Sequence, residues 1–526
     1  MKKRILSLVL VVVILVFSAA CGKTDSVPQP AEQGSSGTTE YRDTIKIGVD
    51  VDPNTLDPRL QTNVTVMRVG ELVFSGLVEL NEKLEPQPCL AESWEQKDAT
   101  TLVFHLRKDI KWHDGNSFTA ADVKYTYETI LDKDFGSAAR ARYVPIKEIL
   151  TPDDYTVQFN LSEPYAPILT YMDHKIVPQS AKDNPGFAEN PVGTGPYKFV
   201  SWSKNSVIKL TANDSYFDGA PATKNIEIYT IPDNTTRVSA LEAGDVDFIH
   251  SPLSPQDIPR MKQNDKVVVH QTSGLGVTFV NFNHQSEILK DRNVRTGLSY
   301  MIDKDTISRD IYQSMDTPAN GPILPASWAY SEDIKDNPYD PAKGLQILND
   351  AGWKDTNGDG ILDKGGKKLT VKLSTHTEDP NRMQALEFIQ NSFASNGIDA
   401  PVSTFEWATF SSDLTAGNYD ISIVGLLNIN DPDRGLYIQF HTGGGQNYGK
   451  YSYPELDTLL DKGRSTSDQS ERAKIYQQAA QMINDEVMWK TLVFQGYIAM
   501  YNKNLEGYTP MPSGQISAMR DAKVKR

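Results

Sequence analysis

Residues Val103 to Glu128 read VFHLRKDIKWHDGNSFTAADVKYTYE, and this stretch decides the fold. Val103, His105 and Arg107 alternate with Phe104 and Leu106, the period of a half-buried strand. Asp114-Gly115 turns the chain. Thr119 then stands as the N-cap of a helix, with Asp122 three places on for a capping-box pair. Phe118 and Val123 flank the cap as a hydrophobic staple. Strand, turn and capped helix follow from local physics alone.

The wording of that stretch, F-x-L-R-x-x-x-x-W-x-D-G-x-x-F-T-A-x-D-V-x-Y, resembles the signature of the family 5 extracellular solute-binding proteins, which serve peptide and nickel ABC importers. Further segments resemble the same family in order and spacing. They are Pro53-x-x-Leu56-Asp57-Pro58, Asn190-Pro-Val-Gly-Thr-Gly-Pro-Tyr197, Ala240-Leu-Glu-Ala-Gly-Asp-Val-Asp247 and the run from Asp291 through Ile302-Asp303. In Asn190 to Tyr197, glycines 193 and 195 are expected to permit positive φ in a tight turn. Helices are expected from Val66 to a glycine stop at Gly76, and after Asp340-Pro341 and Asp379-Pro380, each an N-cap with proline at the first helical position.

At 526 residues the chain is too long for one core, so two or more lobes are expected. A net charge of −15 argues against nucleic acid as a partner, which requires a basic footprint. Lys2-Lys3-Arg4 followed by the apolar run Ile5 to Ala20 reads as a secretory signal over 1–20. The run is shorter than the ~20 apolar residues that span a bilayer. Ser18-Ala19-Ala20-Cys21 resembles a bacterial lipobox, with the Cys21 thiol taking a diacylglycerol anchor. Residues 21–43, rich in Ser, Thr, Gly, Pro and Gln, read as a flexible tether. Cys89 is the one other cysteine, so a lipidated Cys21 leaves no intrachain disulfide.

Several motifs imitate chemistry. Asp355, Asn357, Asp359 and Asp363 have the spacing of a calcium loop, yet position 12 is Gly366 where a bidentate carboxylate belongs. Gly444-x4-Gly449-Lys450 lacks the Ser/Thr and the following helix of a phosphate loop. The eight histidines form no zinc-binding pair, and no G-x-S-x-G elbow is present. No cofactor and no catalytic residue is expected.

The resemblance implies an α/β, two-lobed periplasmic-binding-protein fold: a Venus flytrap of type II, cluster C, with a domain inserted in the first lobe. The expected division is 44–80 plus 190–272 plus 488–526 for lobe I, 81–189 for the insertion and 273–487 for lobe II, with hinges near 272 and 487. It implies a monomeric lipoprotein on the outer face of a bacterial cytoplasmic membrane. Such a protein captures a peptide or similarly sized solute between its lobes and delivers it to ABC permease subunits. A non-peptide solute such as a nickel chelate is the alternative, followed by a surface sensor or secreted hydrolase on the same scaffold. By position, the resemblance puts Thr62, Asn63, Tyr125 and Trp407 in the cleft. His250, Ser251, Phe279 and Asn281 are candidates because they lie at strand ends facing it. Peptide-binding relatives carry G-W-x-x-D-Y-x-x-P, whose Asp pairs with the peptide ammonium. Here Leu426 replaces the Trp and Asn428-Ile429-Asn430 replaces the Asp region. Asp431, directly before Pro432, is the expected substitute partner for an ammonium group.

Overall fold

The long strands Val267–Phe282 and Trp489–Asn502 run antiparallel through the middle of the molecule and tie its two halves together. This computed structural model describes residues 40–60, 63–250, 253 and 256–526. Cys21, Thr62 and Ser251 lie outside the described residues, as do the signal and nearly all of the tether.

One mixed sheet holds the fold. From one edge its strands are Val402–Phe405, Leu373–His376, Ile421–Leu426, Val267–Phe282, Trp489–Asn502, Phe248–His250, Thr44–Val49, Asn225–Thr230, Val207–Ala212 and Tyr197–Ser203. The two central strands pair in one register from Val267 to Ser273, shift before Val277, and shift again between Thr278 and Phe279. Gly274 and Gly276 fall inside the first break. Strands on either side of it feed separate cores. Ile45, Ile47, Ile226, Ile228 and Phe248 pack in one, and Val280, Leu298, Leu373, Ile389 and Ile423 in the other. These are the two lobes.

A separate four-stranded antiparallel sheet and the helix against it hold the stretch from Val103 to Glu128. The sheet order is Ala91–Asp98, Thr101–Leu106, Thr156–Leu161, Ile146–Asp153, and the helix Ala120–Leu131 packs against it. Asp122 accepts from the Thr119 backbone N–H at 2.9 Å, and Phe118 and Val123 are both fully buried, as the capping box and staple require. Val103 is buried as well, so the strand is less one-sided than its alternation suggests. Its neighbours across the sheet are Glu95 and Gln158, whose aliphatic stems can cover it.

Asp340 and Asp379 accept from the N–H groups of Lys343 and Arg382, capping helices Pro341–Asp350 and Pro380–Ser395 as expected. Two expectations change. The first helix runs Val64–Val73 and stops before Gly76. Gly76 instead pairs with Lys175, and a Cβ on it would meet the Asp173 carbonyl oxygen at 2.6 Å. Gly193 and Gly195 do not adopt positive φ. They are glycines because the backbone at the end of that helix presses on them: a Cβ at Gly193 would lie 1.8 Å from the Val73 carbonyl oxygen. Among the described residues, no helix is long and apolar enough to cross a membrane.

Candidate ligand-binding cleft

The pairing of Gly76 with Lys175 lays Asp173-His174-Lys175 beside the helix Val64–Val73, and that contact builds one wall of a cavity of about 260 Å³. The first lobe supplies Met67, Arg68, Glu71, Arg142, Asp173, His174, Lys175 and Gln515, and the second lobe Leu275, Asn428 and Asn430. Arg68 and Glu71 stand three apart on a helix that is, Thr65 aside, otherwise apolar. Both are nearly buried, and they pair at 2.7 Å. Arg68 also donates to the Ser513 carbonyl at 3.0 Å, while Glu71 accepts from the Ile516 N–H at 2.7 Å. Burial raises the Glu71 carboxyl, and Arg68 opposes the rise. Burial also raises the Asp173 carboxyl, against the pull of Lys175 and then Arg142. The His174 imidazole is pushed down to about 3 by burial, so it is neutral near pH 7. From the second lobe, Asn428 sits at φ 57°, a left-handed conformation that Asn tolerates better than most residues. Ile429 next to it is strapped by a 3.1 Å bond to the Leu275 carbonyl.

A second set of contacts between the lobes is closed rather than hollow. Asp431, 1% exposed, caps the helix Pro432–Phe440 and accepts from the Asp433 N–H at 3.0 Å. Arg472 donates to the same oxygen at 2.9 Å, and Thr170 of the first lobe donates to the other at 3.2 Å. Asp433 is held by Arg464 at 2.8 and 3.1 Å. The Arg464 guanidinium lies 3.2 Å from the centre of the Tyr437 ring, and its carbonyl accepts from the Ala166 N–H of the first lobe at 2.8 Å. The Asp431 carboxylate is therefore already neutralised from within the protein. This corrects its expected role: a carboxylate bonded to Arg472 and sealed from solvent is not waiting for a ligand's ammonium.

Of the other expected cleft residues that are described, Asn428 alone lines the cavity. Tyr125 faces the first-lobe core and accepts from Arg59 at 3.0 Å. Trp407 opens the helix Trp407–Ala416, 48% exposed, with its ring edge-on to His376 at 5.2 Å. Phe279 stacks on Trp489 in the second-lobe core, and Leu426 is buried in the same cluster. Asn281 bonds the hydroxyls of Tyr419 and Tyr451, each at 2.6 Å. His250 is 5% exposed in the sheet. A strand inside a sheet covered on both faces buries both sets of side chains, so facing the cleft end did not bring Phe279, Asn281 or His250 into it. Asn63 accepts from the Val66 N–H at 3.0 Å as a helix N-cap. The calcium-like loop is an Asx-rich turn. Asp355 accepts from the N–H groups of Gly358 and Gly360, Asp363 from Thr356, and Asp359 pairs with Lys368 at 2.8 Å. Among the described residues, no group of three His, Cys, Asp or Glu is placed to hold a metal. The Cys89 thiol is buried, which pushes it up to about 12 and leaves it inert.

Arg68, Glu71, Arg142, Asp173 and Lys175 are what sequence reasoning missed. A usable signal was present for four of them. Arg and Glu three apart in VTVMRVGELV, and Asp-His-Lys between Met172 and Ile176, place charges where an apolar run would bury them.

Known proteins with these features fall together. The sequence profile of the bacterial extracellular solute-binding proteins, family 5 Middle, matches residues 85–447. The oligopeptide-binding protein AppA of Bacillus subtilis (strain 168) is 29% identical over 535 residues, covering 98% of this chain and 97% of its own. HbpA2 from Haemophilus parasuis superposes with a TM-score of 0.85 at 25% identity, over 92% of this chain and 100% of its own. NikZ from Campylobacter jejuni, in complex with Ni(L-His), superposes with a TM-score of 0.73 at 28% identity, over 91% of this chain and 99% of its own. With the profile matched over more than half its length, the chain belongs to the bacterial extracellular solute-binding proteins, family 5.

Proposed function

We propose that this protein is the capture subunit of an ABC importer, holding a peptide or similarly sized solute between its lobes and handing it to the permease without breaking a bond. One observation carries the reading: the cavity of about 260 Å³ has walls from both lobes, so a solute inside it touches both at once. Ligand that binds the closed arrangement better than the open one drives closure by that difference in affinity. At about 260 Å³ the cavity lies just below the ~300–1,000 Å³ range of ligand sites, which favours a short peptide over a long one. The lobes divide, in this proposal, as 44–80, 190–272 and 488–526 with 81–189 inserted, against 273–487. The register break from Ser273 to Val277 would then serve as the hinge. The likeness to NikZ supports a second reading, a metal–amino-acid chelate of the same size.

Cys21 would hold this protein, as a monomer, to the outer face of the membrane. Replacing it (Cys21→Ala) should stop palmitate incorporation in a bacterial host, and continued labelling would contradict the anchor.

Mass spectrometry of gently isolated protein should identify a bound solute. Returned to ligand-free protein, that solute should bind unchanged and shrink the radius of gyration in small-angle scattering. A solute that is consumed would overturn the transport reading, and a profile that does not move would overturn closure.

A further inference from the structure

We propose that the solute site does not end at the interlobe cavity but continues past Lys175 into a second chamber inside the first lobe, which receives the far end of a longer solute. This rests on the reading of the interlobe cavity as the site of a peptide-like solute. The shared walls carry it. Next to that cavity lies a chamber of about 190 Å³, and Glu71, Asp173, Lys175 and Gln515 line both. These four residues are the partition between the two spaces.

The chamber follows from the way the chain turns after the helix Val64–Val73. Phe74 and Ser75 leave the helix end, Gly76 pairs with Lys175, and the strand Val78–Leu80 brings Glu79 and Leu80 to one wall. Ser517, Ala518 and Arg520, from the turn Ser517–Asp521, form another. An empty packing defect in a core is apolar, whereas Glu79, Tyr216, Ser517 and Arg520 make this space polar, and it is roomy enough for a polar solute group. The chamber adds Arg520, Glu79 and Asp521 to the charges of the interlobe cavity, which brings the joined lining to four cations and four acids. Neither sign is favoured by that count. What the chamber adds is room.

The partition is fixed at one point and movable at two. Glu71 is held at both carboxylate oxygens, by Arg68 at 2.7 Å and by the Ile516 N–H at 2.7 Å. Lys175 and Gln515 are half-buried, and among the described residues neither side chain makes a hydrogen bond or an ion pair. The four-carbon stem of Lys175 can therefore swing aside without breaking a bond. Lys175 and Gln515 thus set how long a solute the site accepts.

Alanine peptides of two to five residues, titrated into ligand-free protein by calorimetry, test this. Ala518→Leu narrows the second chamber and leaves the walls of the interlobe cavity untouched. It should weaken the pentapeptide about tenfold and leave the dipeptide within about twofold. Cys89→Met, on another wall of the chamber, should do the same, so a variant whose thermal midpoint shows misfolding leaves the other to decide. Lys175→Ala should raise the affinity of the pentapeptide relative to the dipeptide about threefold or more. A ratio of pentapeptide to dipeptide affinity that neither narrowed variant lowers, or that Lys175→Ala leaves in place, would overturn the second chamber while leaving the peptide reading intact. If no length binds, the peptide reading falls and the chamber's role with it.

Discussion

The seam at Asp431 and the cavity at Asp173 use the same ingredients to different ends. At Asp431 a buried carboxylate has a guanidinium at 2.9 Å, a backbone N–H at 3.0 Å and a threonine hydroxyl at 3.2 Å. Asp433 beside it is gripped twice by Arg464. At Asp173 the acid and the neighbouring Lys175 both line the cavity, and the second lobe adds only the uncharged Leu275, Asn428 and Asn430. Full satisfaction inside a closed seam marks a place whose partners arrive with the chain, whereas charged groups that line a hollow between lobes remain within reach of a solute. Charge alone therefore does not identify a binding site; what the charge is bonded to does.

That contrast can be broken at the seam first. Arg472→Met leaves Asp431 buried without its counter-charge and should destabilise the protein by on the order of 3–5 kcal/mol, read by urea unfolding. A loss under about 1 kcal/mol would show that the seam is no more than a surface ion pair. A smaller effect is expected of Thr170→Val, which removes the first-lobe hydroxyl that donates to Asp431 and leaves the Asp431–Arg472 pair inside the second lobe. Closure, not folding, should weaken. Affinity for the copurified solute is expected to fall by about 1 kcal/mol in calorimetry with the unfolding curve nearly unchanged. Equal losses in both would mean that the seam does not distinguish the open from the closed state.

Local features were legible in the sequence, and distant ones were not. The capped helix after Thr119 and those after Asp340 and Asp379 were readable because cap, first turn and staple sit within a few residues of one another. For Asp431 the extended backbone before Pro432 was also readable, and the observed φ −132°, ψ 142° agrees. Its partner was not, because Arg472 lies 41 residues away on another helix. The cavity draws on segments near 68, 142, 174, 429 and 515, which only the assembled fold brings together. Gly193 shows the same limit. The sequence announces a glycine but not the Val73 carbonyl that excludes a side chain there.

Hydrogen–deuterium exchange with and without the copurified solute tests the central claim most directly, because it locates the solute without assuming its chemistry. Protection should appear together in the helix Val64–Val73, around Arg142, across 173–175 and across 428–430, the walls of the cavity from both lobes. Protection confined to the surroundings of Trp407 and Tyr125, with those four segments unchanged, would contradict it.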